Sequence, residues 1–341
     1  MKKRIEFLDY MKAICVMLVI ITHIDWPMKQ IPVFDYFINM AVPIFMIISG
    51  YNFAMSSERT IGTWEGGRKG MKALYNVQLL LKKFWRFIEP FLPICIVEII
   101  ILSMEGKNIN LPRIFLEGAY GPGSYYVPLM LQLLVIFPWI YVLAKKFPKA
   151  FLPIMALVTL LFEYYVVVSD MAKDDYRLLI GRYLFLIAFG CWFYMYPNIR
   201  LSYLTLVCML AVGITYLVLN RQGVDFYLFN YWGPTTFLTD FYIIPIVVIL
   251  FRLFYHSTIP GFLGQLLVEI GKASYHIFLV QMVYYHFELG GPIFELPLLW
   301  QIPCNIVINV FVGVIFFEAQ NHWSINWSYL TNHLSAIKIR K

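Results

Sequence analysis

Lys12 and His23 lie inside one apolar run, Tyr10 to Trp26. A charge at the centre of a membrane helix costs roughly 2.5–3.5 kcal/mol on insertion scales, so an ionisable residue there is a functional candidate by default. At about 100° per residue, the eleven steps between them return to within about 20° of the start, so both fall on one helix face. Their separation along the axis is about 16 Å, roughly half the hydrocarbon thickness. Asp9 sits one turn before Lys12 on the same face. An Asp9–Lys12 pair at the interface, with Lys12 snorkelling, accounts for those two residues without chemistry. His23 needs either a hydrogen-bonded structural niche or a role. An imidazole titrates near neutrality, so it can take a proton from a hydroxyl or briefly carry an acyl group.

A second set opens the third apolar run, Lys82-Lys83-Phe84-Trp85-Arg86-Phe87-Ile88-Glu89-Pro90. Lys82 and Lys83 read as ordinary flanking charge. Arg86 lies one turn deeper than Lys83, and Arg with Lys in a partly dry site makes a phosphate clamp. Trp85 is an interfacial aromatic that can also stack on a base. Ser274 and Gln281, seven apart on one face, either line a polar cavity or bond across helices. Arg182 falls near the outer end of a later run, placed to snorkel or to meet a substrate. There is no Walker-type glycine loop, no His/Glu zinc spacing and no Gly-x-Ser-x-Gly elbow. ATP-driven transport, metalloprotease and serine-hydrolase chemistry are therefore disfavoured, and no metal is expected.

Composition sets the elements that must hold these residues. Of 341 residues, 60% are hydrophobic and only 14% charged, against about 45–50% and about 25% in soluble domains. The expectation is an all-α, polytopic membrane bundle forming one domain over 1–341. About ten spans are predicted, at 10–26, 34–55, 84–103, 125–144, 150–168, 178–196, 201–219, 236–255, 270–289 and 299–318. Loop signals separate them: Pro27, Pro32, Gly66-Gly67, Gly121-Pro122-Gly123, Pro148, Pro197, Gly233-Pro234 and Gly290-Gly291-Pro292. With both termini cytoplasmic, eighteen Lys and Arg flank the inner ends. Six (Lys29, Lys107, Arg113, Lys173, Arg177, Arg221) flank the outer ends. The net charge of +7 thus reflects topology and lipid headgroups, and no nucleic-acid partner is expected. The five cysteines stand singly in apolar runs, as small fillers. Lys12 interrupts the first run and no small-x-small site follows, so that run is expected to be a retained helix and not a cleaved signal.

Taken in order, these segments resemble the acyltransferase 3 family of membrane proteins. The opening Arg4-Ile5-Glu6-Phe7-Leu8-Asp9-Tyr10-Met11-Lys12 resembles the family's start, and Lys12 with His23 matches its basic-x10-His signature. Pro43 to Tyr51 resembles its Pro-aromatic-Ser-Gly stretch, and Lys83 with Arg86 its paired basic residues. Gly271-Lys272-Ala273-Ser274-Tyr275 resembles its late Gly-Lys-x-Ser-Tyr segment, and Phe317-Glu318 its closing aromatic-Glu. The chain departs in having Lys12 and Lys83 where many members have Arg, Tyr125-Tyr126 for Trp-Phe, and Gln281 for His. No fused extracytoplasmic hydrolase-like domain is expected.

The resemblance implies an O-acyltransferase of a bacterial inner membrane, moving an acyl group, most often acetyl from acetyl-CoA, onto a hydroxyl of a surface or lipid-linked glycan. In that picture Lys12, Lys83 and Arg86 hold CoA phosphates, Asp9 orients Lys12, and His23 is the base or a transient acyl carrier. Tyr126, Arg182, Ser274, Gln281 and Glu318 are candidate substrate contacts. Transfer across the membrane and transfer at the cytoplasmic face both remain open. The rival reading is a multi-pass transporter or flippase for an anionic metabolite, with the buried Lys and His as a proton relay. No internal symmetry of the kind that marks such folds is visible.

Overall fold

The computed structural model describes residues 5–24, 34–62, 67–198, 201–224 and 236–323. The terminal basic residues Lys2, Lys3, Arg4, Lys338, Arg340 and Lys341 lie outside the described residues. So do Lys29 and Arg200, and the loop signals Pro27, Pro32, Gly66 and Gly233-Pro234.

The described chain is helical, with no strand among the described residues. Its α-helices are α1 (Glu6–Thr22), α2 (Ala41–Ile61), α3 (Gly67–Leu74), α4 (Val77–Met104), α5 (Leu111–Leu116), α6 (Tyr126–Lys146), α7 (Phe151–Val168), α8 (Lys173–Leu178), α9 (Leu184–Met195), α10 (Tyr203–Arg221), α11 (Phe237–Phe254), α12 (Gly261–His286) and α13 (Leu298–Trp323). Among the described residues, eight helices are long and apolar enough to cross a membrane. Helices also stand at the other two predicted spans, but both are shorter than 18 residues. The first is α1, 17 residues long, which starts four residues earlier than the apolar run because Glu6 and Asp9 are taken into the helix. The sixth is Ile180–Met195, a 3-10 turn running into α9. The chain is an integral membrane helical bundle.

Local signals explain the ends that matter. Asn76 caps α4, its side chain accepting from the Gln78 N–H at 2.9 Å. At 28 residues, α4 is about 42 Å long and exceeds the hydrocarbon thickness. Pro90 and Pro93 inside it withdraw N–H donors from the carbonyls of Arg86 and Glu89.

Hydrophobicity does not hold such a bundle together, because lipid is as apolar as Leu; close backbone approach does. Glycines supply it at several contacts. A Cβ at Gly50 on α2 would fall 2.0 Å from the Ile187 carbonyl oxygen of α9, and one at Gly190 on α9 would fall 2.0 Å from that of Ile47. A Cβ at Gly271 on α12 would fall 2.2 Å from the Asp9 carbonyl oxygen of α1. Buried polar residues occur on α1, α2, α4, α7, α11, α12 and α13, while α7, α10 and α13 also turn Leu161, Val207 and Phe311 outward, toward lipid.

Gly271→Ala is expected to destabilise the protein by about 1–3 kcal/mol, the range for overpacking. It should also shift Lys12, because α1 must move to make room. Thermal unfolding of the purified protein checks the loss of stability; an unchanged value would mean the α1–α12 contact relaxes freely.

Candidate active site

The polar track begins where α1 meets α12. The Lys12 ammonium lies 2.7 Å from the Asp9 carboxylate, one turn apart on α1, with the side chains 21% and 4% exposed. The close approach allowed by Gly271 covers Asp9 and leaves Lys12 turned to a cavity.

That cavity has a volume of about 980 Å³ and lies between α1, α2, α4, α6, α12 and α13. This is the upper end of the usual range for small-molecule sites. Along α2 its lining runs from Val42 to Ser56, which at 1.5 Å per residue is a length of about 21 Å. The two ends differ in chemistry. The Ser56 end is basic: Lys82, Lys83, Arg86 and Lys272 line it with Gln320, and the Lys83 ammonium sits 5.3 Å from the Phe53 ring centre. Asp9 offsets Lys12, and Glu269 offsets Lys272 at 2.6 Å. Glu89 is the carboxylate among the lining residues, so Lys82, Lys83 and Arg86 leave this mouth positive. The opposite end is lined by Val19, Val42, Phe45 and the Tyr125-Tyr126 pair. Tyr126 packs on Phe278 with ring centres 5.0 Å apart, and its hydroxyl is hydrogen-bonded to Ser49.

The tyrosine pair is delivered by an inward-folded loop, residues 117–125. Ala119 is fully buried with φ 82°, a conformation costing an L-residue roughly 1–2 kcal/mol. Such strain persists only where surroundings over-determine it. Here buried Glu98 of α4 accepts from the Tyr120 N–H at 3.4 Å, and the Gln281 amide of α12 donates to the Pro122 carbonyl at 3.2 Å.

The sequence-derived candidates fall into three groups. Lys12, Lys83, Arg86, Tyr126 and Ser274 are brought together on the cavity wall, with Asp9 behind Lys12. His23 caps the C-terminal end of α1, half-buried, its ring centre 5.9 Å from that of Tyr285. It is one turn beyond Val19, about 6 Å past the apolar end of the cavity along the axis. Arg182, Gln281 and Glu318 do not line the cavity. Arg182 is buried among tyrosine rings, Gln281 holds the loop, and Glu318 is exposed on α13 while its neighbour Phe317 faces inward.

Asn52, Ser56, Gln320 and Asn321 on the wall escaped the sequence reading, as did one titratable residue, His276. His276 lies on the cavity wall between the rings of Phe316 and Phe317; its Nε2 pairs with the Gln320 side chain, and its buried Nδ1 has no hydrogen-bond partner. The available signal was its i+4 spacing from Lys272, which puts both on one face. No three metal-ligating side chains converge among the described residues.

The site is a long internal cavity of a helical membrane bundle, basic at one end and apolar at the other. The chain belongs to the acyltransferase 3 family: the family's model, described as an acyltransferase domain, matches residues 5–318. It is a membrane acyltransferase. No curated protein and no solved structure matches it.

Proposed function

We propose that this protein moves an acetyl group from acetyl-CoA to a hydroxyl of a cell-surface or lipid-linked glycan, from a bacterial cytoplasmic membrane with both termini inside. The observation that carries this reading is the cavity's polarity along its length. Lys82, Lys83 and Arg86 at the mouth suit the phosphates of CoA, with Lys12 one step further in. A channel about 21 Å long suits an extended pantetheine arm. The thioester then lies at the apolar end, one turn short of His23.

In the transfer the acceptor oxygen bonds to the thioester carbonyl carbon and the carbon–sulfur bond breaks. His23 accepts the hydroxyl proton, and the proton passes to the departing thiolate. Family membership supports transfer over the rival transport reading. A transferase consumes acetyl-CoA and leaves an ester, whereas a transporter changes only its ligand's compartment.

The test is acyl transfer in membranes from cells expressing wild type and Arg86→Ala, read as ester-linked acetyl by mass spectrometry of the glycans. A charge-assisted hydrogen bond is worth about 1.5–3 kcal/mol, so Arg86→Ala is expected to raise the KM for acetyl-CoA about 10–100-fold. Transfer should recover at high donor concentration. Acetylated glycan that is independent of added acetyl-CoA would sink the donor assignment.

A further inference from the structure

The cations of the cavity gather at its mouth, and the apolar end has none in its lining. Arg182 lies close behind that end, 2% exposed and enclosed by aromatic rings: its guanidinium carbon lies 4.4 Å from the Tyr183 ring centre, 5.4 Å from that of Tyr176 and 5.7 Å from that of Tyr125. Tyr125 alone of these rings also lines the cavity. Its side chain is hydrogen-bonded to Tyr183, and the strained loop that carries it is held by Glu98 and Gln281. Tyr125 therefore both lines the cavity and packs against the buried guanidinium. Buried Glu163 and Asp240 share the space behind it, so the charge there is balanced within the protein.

We propose that Tyr125 restricts the donor to uncharged acyl groups, because its ring screens Arg182 from the acyl end and leaves a terminal carboxylate facing an apolar wall. This rests on the acyl-CoA reading above. An acetyl group needs only apolar contact there. A succinyl or malonyl group would carry an ionised carboxylate out of water with no counterion, which proteins avoid unless the charge is paired. Replacing Tyr125 by a small polar residue removes that screen, so that the carboxylate meets both water and the guanidinium.

The experiment is competition of unlabelled CoA, acetyl-CoA and succinyl-CoA against labelled acetyl-CoA on the purified full chain in nanodiscs. Wild type is expected to bind succinyl-CoA about 10–100-fold more weakly than acetyl-CoA, the cost of one unpaired buried charge group. Tyr125→Phe keeps the ring and should keep that ratio. Tyr125→Ser should narrow it at least several-fold, and adding Arg182→Gln should restore much of the discrimination. Equal binding of the two thioesters by wild type overturns the proposal while leaving the donor site intact, and this arm needs no variant to fold. An unchanged ratio in folded Tyr125→Ser overturns it as well. Failure of all three CoA compounds to compete removes the donor reading, and the selectivity proposal with it.

Discussion

His23→Ala is expected to lower kcat for acyl transfer about 10²–10⁴-fold, the usual contribution of a positioned general base, while leaving the affinity for acetyl-CoA within a few-fold of wild type. The separation of the two effects follows from position. His23 lies one turn past the end of the cavity wall and about 16 Å along the axis from Lys12. His23→Gln should be nearly as inactive, because an amide can hydrogen-bond but cannot take a proton. Single-turnover transfer with labelled acetyl-CoA and direct binding on the same preparations separate kcat from Kd. Label retained covalently on wild type and lost in the variant would make His23 the acyl carrier. Full activity in His23→Ala together with its loss in His276→Ala would move the chemistry to the mouth-side histidine, whose Nδ1 is buried without a hydrogen-bond partner.

Asp9→Asn should cost about 3–5 kcal/mol of stability, because it leaves the Lys12 ammonium facing a neutral amide in a largely dry setting. Lys12 retains 21% exposure and can turn toward the cavity, so the lower end of that range is expected. Lys12→Met in the same chain removes the charge that had faced Asp9 and should recover part of the lost stability. It should not recover acetyl-CoA affinity, since the cation is then gone from the cavity wall. Thermal unfolding of the two singles and the double forms a mutant cycle that isolates the pair, and binding on the same samples reports the ligand. An Asp9→Asn protein as stable as wild type would mean the pair behaves as a surface ion pair.

Arg182, Gln281 and Glu318 show why several candidates drawn from the sequence part company in three dimensions. Gln281 and Ser274 share a helix face at seven-residue spacing, yet Ser274 reaches the cavity while Gln281 meets the 117–125 loop that closes over α12. Spacing fixes direction around a helix, but what stands in that direction depends on a loop distant in sequence. Arg182 lies behind Tyr125 for the same reason. Glu318 faces out because Gly313 seats α13 against Ile277 of α12 and so sets which side of α13 turns inward.

The sequence by itself determined the class and the local geometry: a polytopic helical bundle, and the Asp9–Lys12 turn with His23 further along the same helix. These follow from hydropathy and from the 3.6-residue period, which act within one helix. Only the tertiary structure decided where the cavity begins and ends. Its walls come from helices far apart in the chain, α1 and α12 among them, which meet closely at Gly271 and Asp9. It also brought His276 to the wall and packed a cavity-lining tyrosine against Arg182. Those outcomes depend on which backbones approach closely in lipid, where apolar burial favours no one face over another and packing makes the choice.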